Sequence, residues 1–104
     1  SIAAAVGRVR ARHGEALPIQ VEVDTLSQLE DALACRVAAV LLDNMSPEQL
    51  RCAVALAGGR CHLEASGGIT LENVRAVAET GVDSISLGGL THSARSLDLG
   101  LDFQ

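Results

Sequence analysis

The sequence predicts an α/β protein that forms part, about half, of a parallel (β/α) barrel of the TIM type, with four βα units. Three observations support this fold class. Short apolar segments suited to strands alternate with helix-like segments. The predicted strands start near residues 19, 38, 61 and 83, a repeat of roughly twenty residues. Polar residues fall on one face of each strand and gather at the carboxyl ends, where barrels hold their active sites.

The first helix and strand are predicted from two different periods. Apolar side chains at helical spacing predict a helix over residues 2–13, which ends near Gly14. Pro18 then breaks the pattern, and residues 19–24 read IQVEVD. Strict alternation of apolar and polar residues predicts a strand with one apolar and one polar face.

The next elements carry clear start and stop signals. Residues 25–28 read TLSQ, a capping box that opens a helix through about Cys35. A mostly apolar run over residues 37–43 suits a parallel strand that is covered on its outer face. Residues 46–49 read SPEQ, a cap followed by an N1 proline, and the helix that they open ends at Gly58-Gly59.

The alternation of predicted strands and helices continues towards the C-terminus. Residues 61–66 form the third predicted strand, and the helix over residues 70–80 has a threonine placed as its cap. The fourth strand covers residues 82–88. A short helical turn is predicted from Thr91, and alternation over residues 97–103 predicts a further extended segment.

Two architectures are compatible with four parallel strands. An open doubly wound sheet could be complete, whereas a closed barrel needs about 200 to 250 residues. If the apolar residues of the first strand face the helices, the polar residues that alternate with them face inward. The same alternation is applied to the other three strands. The predicted inward-facing residues are Gln20, Glu22, Asp24, Asp43, His62, Glu64, Ser66, Ser84, Ser86 and Gly88. This one-sided pattern favours part of a barrel. Residues outside this sequence would then close the two edges of the sheet, or the edges would lie open to association.

Composition excludes several classes of function. The net charge is −5 and the basic residues are scattered, so the basic footprint of a nucleic-acid binder is missing. No apolar run of membrane-spanning length and no signal peptide occur, and we expect a cytoplasmic protein without a membrane partner. The three cysteines lack metal-ligand spacing and are interpreted as small buried apolar residues.

The segment EASGGIT, residues 64–70, has the composition of a phosphate-binding loop. Ser66-Gly67-Gly68 removes side-chain bulk where backbone N–H groups could approach an anion. Gly88-Gly89 ends the adjacent strand, and barrels often bind phosphate between two such loops. His92 could donate a hydrogen bond or a positive charge to the same phosphate. In the alternative interpretation, the glycines only make tight turns and His92 is a surface residue.

Two acids stand near the ends of successive predicted strands. Glu22 and Asp43 could bind ribose hydroxyls or a hard cation such as Mg²⁺. They could equally be solvated acids, and Asp43-Asn44 could be turn residues. His13 and His62 have no evident partners and are interpreted as structural residues. No nucleophile elbow for Ser/His/Asp catalysis is present.

Four blocks of sequence resemble the C-terminal part of the quinolinate phosphoribosyltransferase family, the carboxylating nicotinate-nucleotide pyrophosphorylases. The blocks are VEVDTLSQLEDAL (21–33), VLLDNMSPEQL (40–50), LEASGGITLENVRAVAETGVDSISLGGLTHS (63–93) and LDLGLDF (97–103). The resemblance covers nearly the whole chain. It implies a step in NAD biosynthesis in which quinolinate and phosphoribosyl pyrophosphate give nicotinate mononucleotide, pyrophosphate and CO₂, with Mg²⁺.

The resemblance also implies roles for individual residues. Glu22 and Asp43 correspond to catalytic acids near the ribose and the Mg²⁺–pyrophosphate region, which they contact directly or indirectly. The implied phosphate-contacting residues are Ser66, Gly67 and Gly68 in one segment and Gly88, Gly89 and His92 in a second. Gly89 stands where the family often has alanine, a change between two small residues.

The family pairs an N-terminal α/β sandwich with an irregular α/β barrel, and its active site lies at a dimer interface. By this resemblance, residues 1–104 are the C-terminal portion of the barrel domain, and the sandwich and first barrel strands are absent. A start at Ser1 without methionine agrees with that expectation. The family's Arg and Lys residues for the quinolinate carboxylates lie upstream, so the chain alone is expected to be inactive. A homodimer or higher homo-oligomer is expected for the parent enzyme.

Two other functional interpretations remain at the level of sequence. One is a related phosphate-binding barrel of different chemistry, such as an isomerase or a molybdenum-associated relative of the family. The other is a non-catalytic half-barrel that binds phosphate or assembles with itself.

Overall fold

The computed structural model describes residues 1–87. Its elements, in chain order, are α1 (Ile2–His13), β1 (Gln20–Val23), α2 (Leu26–Ala34), β2 (Ala39–Asp43), α3 (Pro47–Ala57), β3 (His62–Ser66), α4 (Val74–Ala78) and β4 (Ser84–Ile85). The predictions for Gly88, Gly89 and His92, for the turn from Thr91 and for the extended segment over residues 97–103 lie outside the described residues.

The four strands form one parallel sheet in the order β1-β2-β3-β4. Each strand is thus the neighbour of the next strand in the chain. A doubly wound sheet instead reverses its strand order at a switch point. The sequential order is that of a barrel wall, and the predicted α/β class with part of a parallel barrel is confirmed.

The two faces of the sheet differ sharply in burial. One face carries strand residues that are at most 3 % exposed: Val23, Val40, Leu42, Leu63 and Ala65. The intervening strand residues, from Gln20 and Glu22 on β1 to Asp43 on β2, are half-buried or exposed. The helices therefore cover a single face of the sheet. The prediction that the polar set faces the other side is confirmed for the described strands.

The helix ends follow the sequence signals closely, with one difference. α3 has the full capping box of Ser46 and Gln49 and ends at Gly58, which has a left-handed backbone with φ of 55°. Thr25 caps α2 by accepting from the Gln28 N–H at 3.1 Å. The Gln28 side chain, however, accepts from the Asp24 N–H at 2.8 Å, one residue before the cap. The predicted reciprocal box at this helix is therefore only half right.

The helix predicted over residues 70–80 is shorter than expected. It covers only Val74–Ala78, because the residues before it form a hydrogen-bonded turn. The strand predicted over residues 82–88 pairs with β3 only at Ser84 and Ile85. No helix within residues 1–87 has both the length and the apolar character needed to cross a membrane.

A long-range contact holds α1 against α2. The Arg10 guanidinium donates to the carbonyl oxygens of Cys35 at 2.6 Å and of Arg36 at 3.1 Å. These are the residues where α2 ends, and a cation there satisfies terminal carbonyls and complements the helix dipole. The positions of the basic residues in α1 did not reveal this partner.

The interpretation of the three cysteines as buried residues is wrong. Cys52 is exposed, and Cys35 and Cys61 are half-buried.

Candidate functional site

The carboxyl ends of β2 and β3 lie side by side. Asp43 is opposite Ser66 in the ladder, and the Asn44 N–H donates to the Ser66 carbonyl at 2.8 Å. The Ser66 hydroxyl makes a long contact of 3.5 Å with Asp43 Oδ1. The structure thus joins the predicted acid of one strand directly to the predicted phosphate loop of the next.

The loop after β3 approaches the end of β2 so closely that only glycine fits. Gly67 has φ of 77°, and a Cβ there would lie 2.6 Å from Asp43 Oδ1 and 3.0 Å from the Asn44 nitrogen. Gly68 has φ of 69°, and its Cβ would lie 3.2 Å from Asn44 Oδ1. Both glycines serve the turn through their positive φ, and Gly67 also serves the close approach of the two loops.

Asn73 holds the same loop from its other side. Its Nδ2 donates to the Gly68 carbonyl at 2.9 Å, and its Oδ1 accepts from the Thr70 N–H at 2.8 Å. Thr70 Oγ1 accepts from the N–H groups of Glu72 and Asn73 at 3.2 and 3.4 Å, so Thr70 caps a turn rather than a full helix. Sequence reasoning missed Asn73, although the spacing T-x-x-N was a local signal for such a turn.

Three consecutive amides of the loop are left free to bind an anion. Within residues 1–87, the N–H groups of Gly67, Gly68 and Ile69 have no acceptor. The next amide, that of Thr70, is already used by Asn73. Adjacent unpaired backbone N–H groups in a glycine-rich turn are the donors of phosphate-binding loops.

Glu22 lies on the same inner face as Asp43 but further from the carboxyl ends of the strands. It is opposite Leu41, two residues before Asp43. Ordinary strand spacing and rise place the Cα atoms of the two acids roughly 8 Å apart. Asp43 is the last residue of β2, as predicted, whereas Glu22 lies one residue before the end of β1. Residues 1–87 contain no group of three or more His, Cys, Asp or Glu side chains that could hold a metal ion.

A hydrogen-bonded chain of three side chains crosses the inner face of β3 and β4. Ser84 Oγ donates to Glu64 Oε1 at 3.1 Å and lies 3.0 Å from His62 Nε2. His62, interpreted from sequence as structural, therefore has a partner 22 residues away. The acid contacts the serine rather than the histidine, so the order of contacts differs from that of a Ser-His-acid nucleophile.

An open depression of about 790 Å³ occupies the inner face towards the amino ends of the strands. Its lining includes Glu22, Leu41, His62 and Glu64, and the apolar Leu17. Asp43 and the Gly67-Gly68 loop do not line it. We place the candidate site at the loops instead, because the free amides and the strand-end acid are found there.

The inner face is acidic in the described part of the chain. Its strands contribute three acids, Glu22, Asp43 and Glu64, and no arginine. The ion pairs within residues 1–87 join Glu48 to Arg51 and Arg75 to Glu79 along helices, at 4.0 and 3.8 Å, and leave these three acids without a cationic partner. The sequence contains no lysine.

Comparison with known proteins gives concordant matches. Residues 1–102 match the family model "Quinolinate phosphoribosyl transferase, C-terminal domain". The chain is 47% identical over 105 residues to the nicotinate-nucleotide pyrophosphorylase [carboxylating] of Mycobacterium leprae, with 98% of this chain and 37% of that protein covered. It is 42% identical over 102 residues to the probable enzyme of the same name from Bacillus subtilis, with 98% of this chain and 35% of that protein covered.

A solved structure agrees with these relatives. The crystal structure of nicotinate-nucleotide pyrophosphorylase from Ehrlichia chaffeensis superposes with a TM-score of 0.79 at 41% identity, covering 84% of this chain and 31% of that one. The chain therefore spans about a third of the length of the proteins that it matches. These matches show that the chain belongs to the quinolinate phosphoribosyl transferase family, and residues 1–102 match the model of that family's C-terminal domain.

Proposed function

We propose that this chain supplies the phosphoribosyl-binding part of a carboxylating nicotinate-nucleotide pyrophosphorylase. The reaction would convert quinolinate and phosphoribosyl pyrophosphate to nicotinate mononucleotide, pyrophosphate and CO₂. One observation carries the proposal: the Gly67-Gly68 loop, with three free amides, lies against the strand-end acid Asp43. An anion-binding loop and a carboxylate in contact suit a substrate that has both phosphate and ribose hydroxyl groups.

In the proposed reaction, the described residues act by binding and electrostatics. The loop amides bind the phosphate and fix the position of the sugar. Departure of pyrophosphate from the ribose C1 develops positive charge on the sugar, and the carboxylates of Asp43 and Glu22 stabilise that charge or hold the ribose hydroxyls. No nucleophile from the chain is required.

Mg²⁺ belongs to this proposal as an ion that the substrate brings. Asp43 provides one carboxylate at the carboxyl end of β2, and Glu22 provides a second one further from the strand ends. Residues 1–87 contain no third His, Cys, Asp or Glu grouped with these two acids. This fits Mg²⁺ that keeps several waters and substrate phosphate oxygens, and it does not fit an all-protein cage. When bound, the ion would neutralise charge on the departing pyrophosphate.

The remaining parts of the proposal concern residues and partners beyond the described region. Gly88, Gly89 and His92 would form the second phosphate contact. A homodimer of the parent enzyme and a cytoplasmic location complete the proposal.

Quinolinate would be bound by residues outside this chain. A dicarboxylate needs convergent cationic side chains, whereas the inner face presents acids and the described arginines lie on helices or at helix ends. We expect the 104-residue chain alone to give no carboxylating turnover. Release of labelled CO₂ from quinolinate by the purified chain would contradict this part of the proposal.

The role of Glu22 tests the proposed site directly. In a polypeptide of full family length that carries these residues, Glu22→Gln should lower kcat roughly 100-fold, since one preorganised electrostatic contact to the transition state is lost. Glu48→Gln, on the exposed surface of α3, is the matched control and should leave the rate unchanged. An unaltered rate for Glu22→Gln at saturating substrates, with the fold intact by circular dichroism, would refute the assignment.

A further inference from the structure

We propose that Asn73 is a positioning residue of the phosphoribosyl site, which sets the direction of the loop amides without contacting the reacting atoms. This inference rests on the proposed function. The geometry points to it because one side-chain amide contacts two successive peptide groups of the loop, the Gly68 carbonyl at 2.9 Å and the Thr70 N–H at 2.8 Å.

The Asn73 side chain is not used to cap α4. Asn73 is the residue before the first turn of α4, where an asparagine side chain ordinarily accepts from an amide inside the helix. Here it makes no such bond, and both of its polar atoms are directed back to the loop. Its contacts are therefore those of a loop clamp.

The clamp fixes the orientation of a free amide. The described chain has no cis peptide, so the Gly68 carbonyl and the Ile69 N–H point in opposite directions across one planar unit. Binding the carbonyl oxygen to Asn73 therefore turns the Ile69 N–H away from Asn73. Because the Thr70 N–H is also occupied, the anion is left with the amides of Gly67, Gly68 and Ile69.

Without this clamp the loop would be less ordered. Gly67 and Gly68 both have positive φ, in a region of backbone space where glycine has wide freedom. On the side of the loop that faces β2, the Asn44 N–H donates to the Ser66 carbonyl at 2.8 Å. The buried Ile69 and the backbone bonds to Thr70 anchor the end of the loop, but loss of the Asn73 bond would leave the Gly68 peptide to be ordered by the ligand, which weakens ligand binding.

The test uses two Asn73 variants in a polypeptide of full family length. Asn73→Ala removes both hydrogen bonds, and Asn73→Ser keeps a good capping residue while losing the bridge. In both, the KM for phosphoribosyl pyrophosphate should rise about tenfold, in keeping with the loss of neutral hydrogen bonds that order the loop. The KM for quinolinate should change less than twofold.

Gln49→Ala is the matched control. This substitution removes another side-chain amide from a helix start, where Gln49 Oε1 accepts from the Ser46 N–H at 2.9 Å. The Gln49 side chain makes no hydrogen bond to Gly68 or Thr70. The Tm of Gln49→Ala should also fall, with both KM values unchanged. If Asn73 had only a structural role, the Asn73 variants would behave like Gln49→Ala, with a lower Tm and unchanged KM values. That result, or an unchanged KM for phosphoribosyl pyrophosphate in Asn73→Ser alone, would overturn the proposal.

The two proposals can fail separately. If the unaltered full-length protein shows no transferase activity, the proposed function fails, and binding of inorganic phosphate then tests the clamp. Calorimetry should show about tenfold weaker phosphate binding to Asn73→Ser than to the unaltered protein. Equal affinities, or no phosphate binding to the unaltered protein, would overturn the role of Asn73.

Discussion

Replacing Gly67 by alanine should damage both the fold and the acid beside the loop. The added Cβ would lie 2.6 Å from Asp43 Oδ1, 3.0 Å from the Asn44 nitrogen and 3.3 Å from the Asn44 Cα. The carboxylate can rotate away, but the Asn44 backbone cannot do so without moving β2. Because the proposed function assigns Asp43 to the phosphoribosyl site, its displacement should also lower turnover.

The magnitude follows from two terms. A non-glycine residue with left-handed backbone costs roughly 1–2 kcal/mol, and this term applies to Gly67 and Gly68 alike, since φ is 77° and 69°. Overpacking against backbone adds about 1–3 kcal/mol. That second term applies mainly to Gly67, because the nearest atom to a Cβ on Gly68 is a side-chain oxygen at 3.2 Å. We expect about 2–5 kcal/mol for Gly67→Ala and about 1–2 kcal/mol for Gly68→Ala.

Urea unfolding of the two variants in a polypeptide of full family length, with turnover measured on the same preparations, provides the assay. Gly68→Ala is the matched control, because it shares the backbone term and lacks the clash with the strand end. The reasoning would be wrong if the two variants lost equal stability, or if Gly67→Ala kept full turnover.

Three further predictions concern the scaffold. Arg10→Met should lower the free energy of unfolding by about 2 kcal/mol in urea titrations, since two charge-assisted bonds to the end of α2 are lost; a loss below about 0.5 kcal/mol would contradict this. Leu42→Ala, at a position with 0 % exposure, should cost about 2–5 kcal/mol in the same assay. Burial, and then the Asp83 carboxylate, raise the pKa of the Cys61 thiol above its ordinary value. Less thiolate forms below that pKa, so iodoacetamide should modify Cys61 more slowly than the exposed Cys52 at pH 8, and faster as the pH rises.

The sheet and its two faces were predictable because burial leaves a period of two in the sequence. In IQVEVD, the side chain of Val23 is 1 % exposed, while Glu22 on the opposite face is exposed. α3 was predictable for a different reason. Its capping signals act within four residues, so no distant contact is needed to set them.

The features that sequence reasoning missed depend on contacts between distant residues. Arg10 meets Cys35 across 25 positions, and His62 meets Ser84 across 22. No local pattern reports a partner that far away, since the partner is set by how helices and strands pack. The short α4 is an intermediate case. Thr70 was recognised as a cap, but the turn in which Asn73 bonds back to Gly68 delays the start of the helix by four residues.

The polar inner face argues for function, because packing does not require it. The interior of a TIM barrel is ordinarily filled by layers of branched apolar side chains, and Leu41 fits that rule. Its neighbours in the same row of the sheet do not: Glu22 lies on one side of it, and Glu64, bonded to Ser84, lies on the other. Acids that have no cationic partner among residues 1–87 bring no packing energy to an inner wall and repel one another. A fold that keeps them there needs a ligand, or cationic side chains from elsewhere in the protein, to complement them. The alternation that predicted the strands therefore also predicted the acids of the inner face, and Glu22 and Asp43 among them belong to the site proposed at the carboxyl ends of β1 and β2.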